Sequence, residues 1–197
     1  MVTLPRGAAA ALLAALLPAC SARTAGLADA RLLDLAGAEV APLDALRSGG
    51  AKAAVFLFTS VECPISNRYA PEMTRLFDEY SPLGVAFALV FCDPAETSER
   101  VRAHVAEFAL PMRALRDPRH ELVRAAGATV TPEAVLVGAD GAIAYRGRID
   151  DRFVDFGETR PAPTRRDLRD AIEALLAGKP VAARETPAVG CAIAERP

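Results

Sequence analysis

The chain has 197 residues, 52% of them hydrophobic, and a formal net charge of −2. That length suits one domain with short appendages, and the apolar share is ample for a core. Acidic and basic residues are spread along the chain, so no basic block points to nucleic acid and no acidic tail to a charged partner.

Residues 1–25 read as an address. Arg6 precedes an apolar run from Ala8 to Leu17. The run is too short for the roughly 20 residues of a membrane span and suits the apolar region of a secretory signal. It ends in Leu17-Pro18-Ala19-Cys20, which resembles the lipobox of bacterial lipoproteins, with Pro18 an unusual residue inside it. Two readings stay open: cleavage before Cys20 with a lipid on its sulfur, or ordinary cleavage near Ala22. Both predict a periplasmic or cell-envelope protein, attached to a membrane only through a lipid at Cys20. Export lets disulfides form and persist. The cysteines are Cys20, Cys63, Cys92 and Cys191. Without Cys20 the count is odd, which leaves one thiol free and suits exchange chemistry better than a static scaffold.

Beyond the address, Arg31 to Val40 predicts a short hairpin or edge pair around Gly37. Ala53 to Thr59 is a continuous apolar run, as in a strand buried on both faces. Pro64 to Tyr80 predicts a helix with Ile65, Tyr69, Met73, Leu76, Phe77 and Tyr80 on one face. Pro64 suits its first turn. Val85 to Phe91 reads as a second buried strand. Asp93-Pro94-Ala95-Glu96 predicts the start of the next helix, with a capping Asp, a proline in the first turn and Glu three residues on. Val101, Val105 and Phe108 form its apolar stripe. Met112 to Leu115 predicts a short strand and His120 to Ala126 a short helix. Ala134 to Val137 and Ala142 to Arg146 predict a hairpin over Ala139-Asp140-Gly141. The last helix spans Thr164 to Ala177, with Leu168, Ile172, Leu175 and Leu176 inward and Gly178 at its stop. Strands alternating with helices imply parallel strands covered on both faces. One domain is expected over 26–178, followed by a mobile tail over 179–197 that carries Cys191.

Cys63 follows a buried strand and directly precedes a helix. A helix N-terminus presents unpaired N–H groups and the positive end of the dipole. Both favour thiolate over thiol and raise reactivity.

The run Cys63-Pro64-Ile65-Ser66-Asn67-Arg68-Tyr69-Ala70-Pro71 resembles the active-site helix of thioredoxins, where a proline follows the first cysteine of Cys-x-x-Cys by eight residues. Thr131-Pro132, before the strand Glu133 to Val137, resembles the cis-proline loop of that family. The stretch Asp93 to Ala128 is longer than in a minimal thioredoxin, as in exported thioredoxin-like redoxins and peroxiredoxins. The resemblance covers about Ala53 to Ala177. It implies an α/β thioredoxin-like fold: a central mixed sheet flanked by helices, with an extra αβ insertion before the cis-proline loop. It also implies thiol–disulfide oxidoreductase activity with no cofactor and no metal. Three departures stand against it. Ser66 replaces the second motif cysteine, Leu57 stands where thioredoxin has a buried acid, and Thr131-Pro132-Glu133 holds no peroxide-polarising arginine. Ser60 matches the Thr/Ser of the peroxidatic motif, but Phe56 replaces its leading proline.

The resemblance casts Cys63 as the nucleophile, Ser66 as a hydrogen-bond donor to its thiolate, and Pro132 as a shaper of the peptide groove that keeps metals from Cys63. Cys191, in Val189-Gly190-Cys191, or a partner thiol would resolve Cys63. Cys92 reads as a small apolar strand residue, with a resolving role as its rival. The expected partner is a protein dithiol or disulfide, as substrate or reductant. A peroxiredoxin-type peroxidase is the second reading, and a non-enzymatic binding module or metal chaperone the third. His104 and His120 lie far apart and make a poor metal set, so both are expected at the surface or as caps. Arg146, Arg148, Asp150 and Asp151 read as a turn with salt links. Asn67 and Arg68 are placed to face substrate.

Overall fold

The structure, a computed structural model, describes residues 26–48 and 50–194. The expected signal segment, with Cys20, and residues 195–197 lie outside the described residues. In chain order, β1 (Leu32–Leu33) and β2 (Glu39–Val40) pair as the hairpin around Gly37. Then come α1 (Asp44–Arg47), β3 (Ala53–Thr59), α2 (Pro64–Tyr80), β4 (Val85–Phe91), α3 (Ser98–Glu107), β5 (Arg113–Arg116) and α4 (Glu121–Ala126). The second half holds β6 (Val130–Thr131), β7 (Glu133–Gly138), β8 (Ile143–Gly147), the β9–β10 ribbon (Phe153–Asp155 and Glu158–Thr159), α5 (Asp167–Leu176) and β11 (Cys191–Ala192). The main sheet runs β2-β1-β5-β4-β3-β7-β8. Strands β5, β4 and β3 are parallel, whereas β7 and β8 run antiparallel to their neighbours.

Residues alternate across β3, as a pleated strand requires. Val55 and Leu57 join the core cluster of α2 and α5, while Phe56 and Phe58 join that of α4 and Leu32. Both faces are therefore covered, and the strand reads as unbroken apolar sequence.

Four expectations need correction. First, α3 opens at Ser98, where the Thr97 hydroxyl accepts from the Arg100 amide at 3.3 Å. Asp93 instead closes a turn, accepting from the Ala95 amide at 2.8 Å, and Glu96 is drawn elsewhere. Second, α5 begins at Asp167, not Thr164. Thr164 is held back because its amide and hydroxyl both donate to Asp151, at 2.7 and 2.5 Å. Leu175 and Leu176 lie only partly buried at the edge of the core.

Third, both histidines are buried. His104 packs against the rings of Phe91 and Phe108, with centroids 5.7 and 4.7 Å away. His120, at φ 53°, places Nε2 2.7 Å from the Cys92 carbonyl oxygen. His120 occupies the N-cap position of α4 as expected, but its side chain makes no capping bond, and Asp117 accepts from the Glu121, Leu122 and Val123 amides instead.

Fourth, the stretch 179–194 is docked. Arg146 donates its amide to the Arg184 carbonyl, and the Thr186 amide donates to the Arg146 carbonyl. The Tyr145 hydroxyl lies 2.6 Å from that of Thr186. Gly147 makes this approach possible, because a Cβ there would meet the Thr186 carbonyl oxygen at 2.2 Å. Beyond Thr186 the chain reaches β11, which pairs antiparallel with β6.

The mixed-sign segment forms a turn with polar links. Arg148 pairs with Asp167 at 2.7 Å, and Asp150 accepts from the Tyr69 hydroxyl at 2.6 Å. These contacts tie the segment after β8 to α5 and α2.

Candidate active site

The edge of β3 delivers the loop Ser60–Glu62 and then Cys63, which is the N-cap residue of α2 at φ −80°, ψ 108°. The Asn67 amide donates to the Cys63 carbonyl, which opens the helix ladder, and the Ser66 amide points at the sulfur from 3.5 Å. Pro64 has no N–H to spend at the first position. Across the site, the Cys63 thiol donates to the Thr131 carbonyl oxygen at 2.9 Å. The Thr131-Pro132 peptide bond is cis, as the resemblance implies. Cys63 is only 1% exposed.

Strand β11 brings Cys191 to this point. Its residues pair Cys191 with Thr131 and Ala192 with Val130, and the Ile193 amide adds a bond to the Thr129 carbonyl at 2.9 Å. Gly190 lies against the cis-proline loop, where an added Cβ would meet the Thr131 carbonyl oxygen at 2.2 Å. Cys191 thus packs against the core cluster that contains Cys63, and the two cysteines meet at Thr131.

The two thiols are shifted in opposite directions. Burial pushes the Cys63 pKa up, but Cys191, the Ser66 side chain and amide, and Thr131 outweigh it, so the net direction is below the ordinary thiol value. Burial and the adjacent Cys63 push Cys191 up to about 11. Ionising one sulfur opposes ionising the other, as in any tightly coupled pair. The Ser66 hydroxyl is buried beside the sulfur and meets no hydrogen-bond geometry among the described residues as it stands, so its lowering effect on Cys63 is that of a donor free to turn toward a thiolate.

Other expected residues are placed less directly. Cys92 is buried at the end of β4, its thiol donating to the Val90 carbonyl, and burial pushes its pKa well up. It does not contribute a hydrogen bond to Cys63. Asn67 is committed to the loop, donating to the Val61 carbonyl at 3.2 Å, whereas Arg68 is exposed. Glu62 is exposed and pairs with Arg100. The Ser60 hydroxyl donates to Glu96 at 2.8 Å rather than serving Cys63.

Glu96 is the residue that local sequence reasoning missed. It is fully buried, and its Oε1 also accepts from the Val61 amide at 2.6 Å. Burial pushes its pKa up. One carboxylate thus fixes the loop that presents Cys63, from 33 positions further along. Glu133 does a parallel service on the other side, accepting from the Thr129 amide at 2.8 Å. No motif spacing signals either role. Among the described residues no group of three or more His, Cys, Asp or Glu side chains could hold a metal ion.

A comparison with protein families matches residues 26–146 to the AhpC/TSA family. The chain belongs to the AhpC/TSA family. Two solved structures are similar over most of their length. One is a hypothetical protein from Sinorhizobium meliloti 1021, with 26% identity, 83% of this chain and 89% of that one covered, and a TM-score of 0.70. The other is an uncharacterized conserved protein from Geobacillus kaustophilus, with 27% identity, 85% and 88% covered, and a TM-score of 0.72. A secreted Mycobacterium tuberculosis disulfide oxidoreductase shares the fold at 18% identity, with 77% and 96% covered and a TM-score of 0.51. A search of curated protein sequences finds no match. Membership in the AhpC/TSA family places this thioredoxin-like α/β domain among redoxin-type oxidoreductases.

Proposed function

We propose that this AhpC/TSA-family protein is an exported thiol–disulfide oxidoreductase whose working couple is Cys63 and Cys191. The observation that carries the reading is that both cysteines meet at Thr131: the Cys63 thiol donates to its carbonyl from a helix N-cap, and Cys191 pairs with it across β11–β6. Export rests on Arg6 and the apolar run Ala8 to Leu17, and attachment by a lipid at Cys20 remains one of its two forms.

Cys63 as thiolate attacks one sulfur of a substrate disulfide. A bond forms from Cys63 to that sulfur, and the other substrate sulfur leaves with the electron pair as a thiolate. Cys63 then carries no charge, which removes two of the causes that hold the Cys191 pKa up. Cys191 loses its proton and attacks Cys63. The Cys63–Cys191 bond forms and the substrate leaves as a second thiolate. One substrate disulfide is reduced, and two protein thiols are oxidised. Ser66 steadies the Cys63 thiolate through its amide, and Pro132 holds the Thr131 carbonyl beside the sulfur. A protein disulfide reaches Cys63 where the two-residue β11 pairing opens.

The burial of Cys63 favours a second reading, because a peroxide is small enough to reach the sulfur without any opening of β11. The peroxide oxygen would convert Cys63 to a sulfenic acid, and Cys191 would displace water to give the same disulfide. The absence of an arginine among the partners of Cys63 and the diversion of Ser60 to Glu96 stand against it.

Both readings are tested with Cys63→Ser and Cys191→Ser variants. Exchange predicts that Cys63→Ser loses reduction of a protein disulfide, and that Cys191→Ser accumulates a mixed disulfide on Cys63. Peroxide consumption far faster than by free cysteine would move the second reading to first place. Oxidation that yields no Cys63–Cys191 disulfide would defeat the couple.

A further inference from the structure

Closure of the couple requires Cys191 to lose a proton, and some group must take it. Burial, then Cys63, push the Cys191 pKa up to about 11. The burial persists after Cys63 has entered a mixed disulfide, so ionisation near neutrality still needs help. A pocket of about 170 Å³ opens at Cys191, and Ser60, Cys92, Asp93, His120 and Thr131 also stand in its wall. Most of these are already engaged. The Ser60 hydroxyl donates to Glu96 and accepts from the Glu62 amide. The Thr131 hydroxyl donates to the Cys191 carbonyl. Cys92 is itself a thiol whose pKa burial pushes well up. Asp93 is exposed and closes its own turn on the Ala95 amide. His120 is the wall residue left with a lone pair to offer.

The geometry of His120 fixes which nitrogen that is. The residue is 3% exposed and held at φ 53°, a left-handed conformation uncommon for a side chain with a Cβ. Its Nε2 lies 2.7 Å from the Cys92 carbonyl oxygen. A carbonyl only accepts, so Nε2 carries the hydrogen, and in the neutral ring the lone pair is on Nδ1. Nδ1 has no hydrogen-bond partner among the described residues, yet it is not sealed from solvent. The open space beside the ring is the pocket at Cys191 and a larger one along α4 and Ile193. A positive ring finds support behind it, because the buried Asp117 carboxylate and a charged His120 attract one another. The other charged groups around it are Glu121, Arg119 and Arg124 from its own segment and Asp93 from the end of β4. Arg119 is neutralised by Glu39 and Glu121, and Arg124 is exposed at the rim of the larger pocket. Cys191 is the thiol that faces this space from β11.

We propose that His120 is the proton acceptor for Cys191 when the Cys63–Cys191 disulfide closes. The step rests on the couple proposed above and is the same whichever oxidant has acted on Cys63. The pocket has room for water, which needs roughly 10–15 Å³ per molecule, and the Cys191 proton crosses it to Nδ1. The result is a thiolate beside an imidazolium, whose opposite charges hold one another. The thiolate attacks Cys63, the Cys63–Cys191 bond forms, and the bond from Cys63 to its outgoing group breaks. That group leaves with the electron pair, as a substrate thiolate from a mixed disulfide or as hydroxide from a sulfenic acid, and takes up the proton from the imidazolium. Two protein thiols are oxidised, one substrate disulfide or peroxide is reduced, and His120 ends neutral as it began.

The test mixes the reduced full chain with one equivalent of 5,5′-dithiobis(2-nitrobenzoate) in a stopped-flow instrument and maps the product by peptide mass. The first release of coloured thiolate reports formation of the mixed disulfide, and the second reports closure. A product without the Cys63–Cys191 bond overturns the couple itself, and the inference falls with it. Where the bond is mapped, His120→Gln is compared with the original protein. Glutamine keeps an N–H for the Cys92 carbonyl and removes the base. The proposal expects the second release to slow at least tenfold relative to the first near neutral pH, and the deficit to shrink as pH rises and Cys191 ionises unaided. A second release at the original rate overturns the proposal while leaving the couple intact. A deficit of constant size at every pH also overturns it, because a purely structural loss does not depend on the ionisation of Cys191. His120→Gly provides a second variant, since glycine accepts the left-handed backbone without cost and leaves a space for a free base. Imidazole added to the buffer is expected to restore closure several-fold in His120→Gly and to leave the original protein unaffected. Absence of rescue in a cooperatively folded His120→Gly protein overturns the proposal.

Discussion

At Cys63, burial and contact pull the thiol in opposite directions, and contact prevails. The sign gives a pH profile. Alkylation of Cys63 should proceed below the ordinary thiol range and fall away as pH drops through its lowered pKa. The same shift links to stability: its contribution is fully present above the unfolded thiol pKa and is lost as pH falls through the folded one. Because Cys191 supplies the leading stabilising contact, Cys191→Ala should shift the alkylation profile upward in pH, and Cys191→Ser, which keeps a donor, should shift it less. Stopped-flow alkylation followed by peptide mapping reads both. Glu96 supports the same residue from behind. Glu96→Ala strands the Ser60 hydroxyl and the Val61 amide in a partly buried place. It should cost about 2–3 kcal/mol in denaturant unfolding, whereas Glu96→Gln, which keeps an acceptor, should cost less.

Among the elements, the short β11 carries more consequence than its length suggests. Gly190 has no room for a Cβ against Thr131. Gly190→Ala should loosen β11 from β6 and slow formation of the Cys63–Cys191 disulfide at least tenfold, measured by diamide oxidation with mass mapping, while α2 and β3 keep their helix and strand content. Such pairings are hard to see in advance. Ala53–Thr59 and Val85–Phe91 were legible because burial on both faces writes an uninterrupted apolar run. Pro64–Tyr80 was legible to the residue because its apolar spacing and its opening proline agree. The opening of α3 was misplaced because Asp93 to Glu96 matches a capping pattern, yet a tertiary bond to Ser60 outbids the local one for Glu96. His104 and His120 were expected outside because nothing in a sequence marks a histidine whose ring fills a gap between phenylalanines or reaches a carbonyl. Cys191 was named as a resolving candidate, but its place on Thr131 depends on where 179–194 docks, which no local pattern encodes.

For the molecule as a whole, the couple ties its two ends of the active domain together. A bond from Cys63 to Cys191 would close most of the described chain into one loop. Loops on the order of 100 residues gain about 4–5 kcal/mol from restriction of the unfolded chain. The oxidised protein should therefore melt several degrees above the reduced one in a scan with and without reductant, and Cys191→Ser should lose that difference. The site itself is spread across the fold: Cys63 comes from the N-cap of α2, just past the end of β3, Thr131 from β6, and Cys191 from the final strand. The sheet brings the first two together through the β3–β7 pairing, and Thr186 anchors the approach of the third.

That order of arrival has a consequence during synthesis. Strands β3, β4 and β7 and helix α2 all precede Cys191 in the chain, so Cys63 is made long before the strand that covers it. At about 5–20 residues per second, the gap between the two cysteines on the ribosome is on the order of ten seconds. Throughout that interval an incomplete chain carries Cys63 without its partner or its cover, open to any oxidant or stray thiol nearby. A cell that makes this protein therefore gains by keeping the nascent chain in a reducing place, or unfolded, until its last residues have emerged.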